Sequence, residues 1–133
     1  GQCCPGVMAI EQVLGATTGS GPAFNVARLA SSAATVNTTV VKGAACKVYR
    51  ISGANTSASL KFLKLYNSAA PVVGTNTPRM TLALPVGVFE YELTIYGQMF
   101  ETAFAYAITA NVAETDSTAV AAGDVVALNI TYL

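Results

Sequence analysis

The 133-residue chain carries seven Lys or Arg against seven Asp or Glu, a formal net charge of zero, and is 53% hydrophobic. That length suits one domain whose core needs no disulfide or metal staple. Charged residues make up only 11%, against about 25% in an ordinary soluble domain, so part of the surface is expected to pack against copies of the chain or a partner.

Seven dispersed cations balanced by seven anions form no phosphate-binding stripe, which argues against nucleic acid. No window reaches the ~18 uninterrupted apolar residues of a spanning helix, and the opening GQCCPG has no basic stretch followed by an apolar one, as a secretory signal would. The expectation is a soluble chain made in a cytoplasm. The charges are nevertheless segregated: every basic residue precedes Phe89, and six of the seven acidic ones follow it. Interleaved strands could neutralise this within one molecule; alternatively, opposite faces carry opposite signs and orient assembling copies.

Residues 1–33 read as an N-terminal arm, and 34–133 as the folded domain. In the arm, short apolar pieces (Val7, Ile10, Val13, Leu14, Phe24, Val26, Leu29) alternate with Gly, Ser and Pro. A helical turn could run through Met8 to Leu14 before Gly15 and the following TTGSGP stop it. Such an arm suits ordering against a neighbour, or lying across its own domain.

The strand code begins near residue 35. TVNTTVV (35–41) is β-branched and suits an edge strand. AACKVYRIS (44–52) puts Cys46 and Val48 on one face, with Tyr49 and Ile51 on the other. SLKFLKLYN (59–67) separates Phe62 and Tyr66 from Leu63 and Leu65, so both faces can be covered. Lys61 and Lys64 then fall on opposite faces, and one must reach solvent along its aliphatic stem. After the Pro/Gly loop 68–78, MTLALP (80–85) aligns Met80, Leu82 and Leu84. FEYELTI (89–95) sets Phe89, Tyr91, Leu93 and Ile95 against Glu90, Glu92 and Thr94, the period of a half-buried strand. ETAFAYAITA (101–110) alternates Phe104, Tyr106 and Ile108 with alanines and a threonine; the alanines also suit a helix, but the β-branched and aromatic content around it favours a strand. A polar loop (111–124) leads to DVVALNITYL (124–133), with Val126, Leu128, Ile130 and Tyr132 facing one way. Seven or eight strands with turn signals about every ten residues predict an all-β antiparallel sandwich, of the jelly-roll or immunoglobulin-like sort.

Catalytic chemistry finds little footing. There is no histidine, the usual general base. Cys3, Cys4 and Cys46 are too few for a closed zinc site and make no disulfide framework. Cys46 reads as a buried apolar residue, and Cys3 and Cys4 as arm thiols open to an inter-chain disulfide only outside a reducing cytoplasm. Glu90 and Glu92 share a strand face about 7 Å apart, near a glycosidase carboxylate spacing, yet such a pair is ordinarily a solvated face. GATTGSG (15–21) lacks the lysine of a phosphate-binding loop. Asn37, Asn55 and Asn129 open Asn-x-Ser/Thr triplets that chance explains in a chain this rich in Thr and Ser. Six tyrosines (Tyr49, Tyr66, Tyr91, Tyr96, Tyr106 and Tyr132) could line a sugar platform but fit core or interface positions better. The reading is therefore no catalytic, cofactor-binding or metal-ligating residues, and no enzyme.

Three segments carry a resemblance: KVYRISGAN, LKFLKLYNSAAPVVGTNTPRMTLALP, and AYAITANVAETDSTAVAAGDVVALNITYL. They resemble a family of small virion proteins of tailed bacteriophages, through a "lk-lYn … P-vGt-tP" block and an "ia-AiT … D-t-v-aGDv" block. About two-thirds of the chain is covered; the N-terminal third is not. The resemblance implies a non-enzymatic β-sandwich protein of the phage particle: a head decoration or cement protein on the virion surface, contacting the major capsid protein and other copies of itself. A trimer is the expected assembly, with arms crossing between neighbours and no cofactor, membrane or nucleic acid involved. The alternatives are a tail, baseplate or fibre component that touches a host glycan, and a free-standing carbohydrate-binding module.

Overall fold

The computed structural model describes residues 23–133. Among them lie nine strands and no helix: β1 (Asn25–Ser31), β2 (Thr39–Lys42), β3 (Cys46–Asn55), β4 (Lys61–Tyr66), β5 (Met80–Leu84), β6 (Gly87–Glu92), β7 (Gln98–Phe100), β8 (Phe104–Thr109) and β9 (Val125–Tyr132). One sheet runs β1-β9-β3-β6, with β7 also on β3; the other runs β2-β8-β4-β5. All pairings are antiparallel. Those of β1 with β9, β2 with β8, β3 with β6 and β7, and β4 with β5 are nested, and the β3–β9 and β4–β8 pairings join them into two sheets. A long hairpin rolled into two facing sheets is a jelly roll, so of the two expected sandwich types this is the one observed.

The core lies between the sheets. Leu63, Leu65, Phe104, Tyr106 and Ile108 of the four-stranded sheet meet Val48, Ile51, Leu128 and Ile130 of the other, each 3% exposed or less. Burying a Leu, Ile or Phe side chain contributes about 1.5–3 kcal/mol, so this layer dominates the stability. Gly53 is required at the same level. A Cβ there would lie 2.8 Å from the Phe89 ring and 3.2 Å from the Leu128 backbone.

Several expectations need correction. The arm does not reach residue 33: Asn25–Ser31 forms β1, an edge strand in register with β9. The helical turn at 8–14, GATTGSG and the Cys3–Cys4 pair lie outside the described residues. In β3, Ile51 joins Cys46 and Val48 in the core, because a register shift at Tyr49 inserts one residue and reverses the alternation. A second shift leaves Ala127 at φ 51, so Val125 is buried in place of the expected Val126. The strand expected at 35–41 begins only at Thr39, because Asn37 has φ 53 and bonds the Ala33 and Thr35 carbonyls through its side chain. As β2 it lies at an edge, as expected. β6 stops at Glu92, and Ile95 lies 83% exposed in the turn that the Gly97 N–H closes by donating to the Thr94 carbonyl.

Candidate functional site

The outer faces of the two sheets differ completely. On the four-stranded sheet, Lys64 and Tyr66 of β4 point outward beside Ala107 and Ala105 of β8. None of the four is more than 1% exposed, because the 67–79 and 110–124 loops lie over them. Lys64 neither snorkels nor finds a carboxylate. Its Nζ donates to the Ala113 carbonyl at 2.6 Å and to the Asp116 carbonyl at 3.0 Å. Burial lowers the Lys64 pKa, and Asp116 and Glu114 partly offset this. Lys61, the other candidate for solvent, is 3.9 Å from Asp124 with little of its side chain exposed.

The loop over Lys64 is fixed by Asp116. Its carboxylate accepts from the Asn111 backbone N–H and side-chain amide, and from the Thr118 backbone N–H and hydroxyl. Desolvation alone would raise this carboxyl, but the bonds from Thr118 and Asn111 outweigh it and hold the pKa below the usual aspartate value. Gly74, at φ +91, brings the 67–79 loop against the other: a Cβ there would sit 3.2 Å from the Thr115 carbonyl. At the sheet's end, Arg79 forks onto Glu101 (2.5 and 2.9 Å) and donates to the Met99 carbonyl. Asn67 accepts from the Thr102 N–H. A polar cleft of about 410 Å³ opens beside this cluster, lined by Tyr66, Asn67, Ser68, Asn76, Thr77 and Arg79.

Lys64, Tyr66, Asn67, Gly74, Ala107, Thr109, Asp116 and Thr118 all lie on or beside this sealed face, and each bears on how the two loops are held on the sheet.

The outer face of the five-stranded sheet has no such cover among the described residues. Three rows cross it: Val26, Thr131, Arg50 and Glu92; then Arg28, Asn129, Ser52 and Glu90; then Val126, Ala54 and Val88. The side chains are mostly short or polar, and Val88 is 85% exposed. Four of the chain's charged residues, Arg28, Arg50, Glu90 and Glu92, stand on this face around short polar side chains.

The remaining candidates are dispersed. Glu90 pairs with Arg50, each half exposed. Among the described residues the three ion pairs, Arg50–Glu90, Lys61–Asp124 and Arg79–Glu101, each join the basic half of the chain to the acidic half. Charge segregated in sequence is thus brought together in space. Tyr66 and Tyr106 are buried in different clusters, the Tyr91 hydroxyl donates to the Ala83 carbonyl, Tyr49 meets Phe24 edge-on, and Tyr96 is exposed. No common sugar platform collects them. Asn55 is buried and donates to the Ser59 and Leu84 carbonyls, which removes it as a modification acceptor. Cys46 is a free buried thiol, its pKa pushed up by burial. Among the described residues no group of Cys, Asp and Glu gathers as a metal site would require, and no helix is long and apolar enough to cross a membrane.

No family model, curated protein or solved structure matches the chain.

Proposed function

We propose that this chain is a non-enzymatic structural protein of a phage particle, a decoration or cement protein that stabilises the head by contacts with the capsid and with other copies of itself. The observation that carries the reading is the asymmetry of the jelly roll. One outer face is closed by its own loops, while the other is uncovered among the described residues. That sheet ends at β1, next to the N-terminal residues. Such a surface suits a broad contact better than a ligand, since ligand sites are concave. The resemblance supplies the phage context, and jelly rolls are frequent in viral coats, although the same fold also serves lectins.

The test is particle stability. Particles lacking the protein should lose genome at lower temperature or lower salt than complete ones, and adding it back should restore them. Equal stability with and without it would count against a cement role. A tail or fibre location would instead leave head stability unchanged while altering attachment to cells.

A further inference from the structure

We infer that the outer face of the five-stranded sheet, uncovered among the described residues, is a self-complementary contact for a second copy of the same chain, packed about a two-fold axis parallel to the strands. This rests on the reading of the chain as an assembling protein and adds the surface and its geometry. In the middle row, Arg28 on β1 lies at one margin, Glu90 on β6 at the other, and Asn129 and Ser52 between them. The basic margin and the acidic margin are therefore separated by two short polar side chains.

Two arrangements bring such faces together with two-fold symmetry. An axis across the strands sets β1 over its own copy and brings Arg28 toward Arg28. An axis along the strands exchanges the margins. Arg28 then lies over Glu90 of the second copy, and its own Glu90 lies under the second Arg28. Asn129 meets Ser52, and in the next row Val126 meets Ala54. Aligned sheets pack about 10 Å apart; in the middle row Asn129 and Ser52 are short enough for that approach, and Arg28 and Glu90 reach across from the margins. No carboxylate among the described residues pairs with Arg28, whereas Glu90 already holds Arg50. The contact would join Arg28 of each copy to that pair.

The decisive experiment is sedimentation of the full chain under reducing conditions, so that Cys3 and Cys4 cannot link copies. Wild type should dimerise, with weaker association at high salt. Arg28→Glu and Glu90→Lys, with unchanged thermal melts, should each be monomeric where wild type is dimeric, a loss of at least tenfold in affinity. An equal mixture of the two should recover a dimer, because both cross-contacts then join unlike charges. A wild-type chain that stays monomeric, an Arg28→Glu chain that dimerises normally, or a mixture that fails to recover would each overturn the inference. A monomer that still binds particles through this face would refute the self-contact while leaving the decoration reading intact.

Discussion

The two sheets of this jelly roll solve the same problem in opposite ways. Each buries one face in the common core and has another to dispose of. The β2-β8-β4-β5 sheet covers its outer face with two long loops and draws a lysine inside to hold one of them, with Lys64 0% exposed. The β1-β9-β3-β6 sheet leaves its outer face open among the described residues, with Arg28, Arg50, Glu90 and Glu92 around short polar side chains. The difference teaches where to look for stability and where to look for partners. Changes on the sealed face should unfold the protein locally, whereas changes on the bare face should alter only what it touches.

The largest effect is expected from Lys64→Met, which strands two loop carbonyls under cover. It should cost about 2–3 kcal/mol and lower the melting temperature by roughly 10 °C, with hydrogen exchange rising first in the 110–118 loop. Gly74→Ala comes next. A side chain at φ +91, pressed against the Thr115 carbonyl, should cost about 1–2 kcal/mol in a denaturant titration.

Acidification should act on the same loop through Asp116. Its folded pKa lies below its unfolded value, so its contribution is complete above about pH 3.9 and is lost as pH falls through the folded value. Asp116→Asn should flatten that part of the pH–stability curve. The smallest effect belongs to the bare face, where Asn129→Ser or Ser52→Ala should shift the monomer's stability by less than about 0.5 kcal/mol. A large loss there would erase the contrast between the faces.

Most of the strand framework is legible in the sequence, because period-two alternation survives wherever a strand has one core face, as in Met80–Leu84 and Phe104–Thr109. The misses have specific causes. One inserted residue, Tyr49 in β3 or Ala127 in β9, reverses alternation without any change in composition, so alternation alone sets Ile51 and Val125 on the wrong faces. β1 is hidden because only Ala27 and Leu29 of its inner face pack on the core, in a segment broken by Gly, Ser and Pro. Lys64 reads as a snorkelling residue because its cover arrives from residues about fifty positions later. A signal exists in the alanines: Ala105 and Ala107, alternating with large core residues on a central strand, leave room for something to lie close above them. The open face is not legible in advance, because the residues that meet on it, Arg28, Arg50, Glu90 and Glu92 among them, are scattered along the chain.

In the assembled state the bare face should be covered while the sealed face keeps its own loops and nothing more. Thiol labelling at two introduced cysteines, Ser52→Cys on the bare face and Ala119→Cys on the loop side, tests this directly when resolved by peptide mass spectrometry. On going from dilute protein to the assembled state, position 52 should become protected at least tenfold and position 119 should label at an unchanged rate. Equal labelling of position 52 in both states, or protection confined to position 119, would contradict the account.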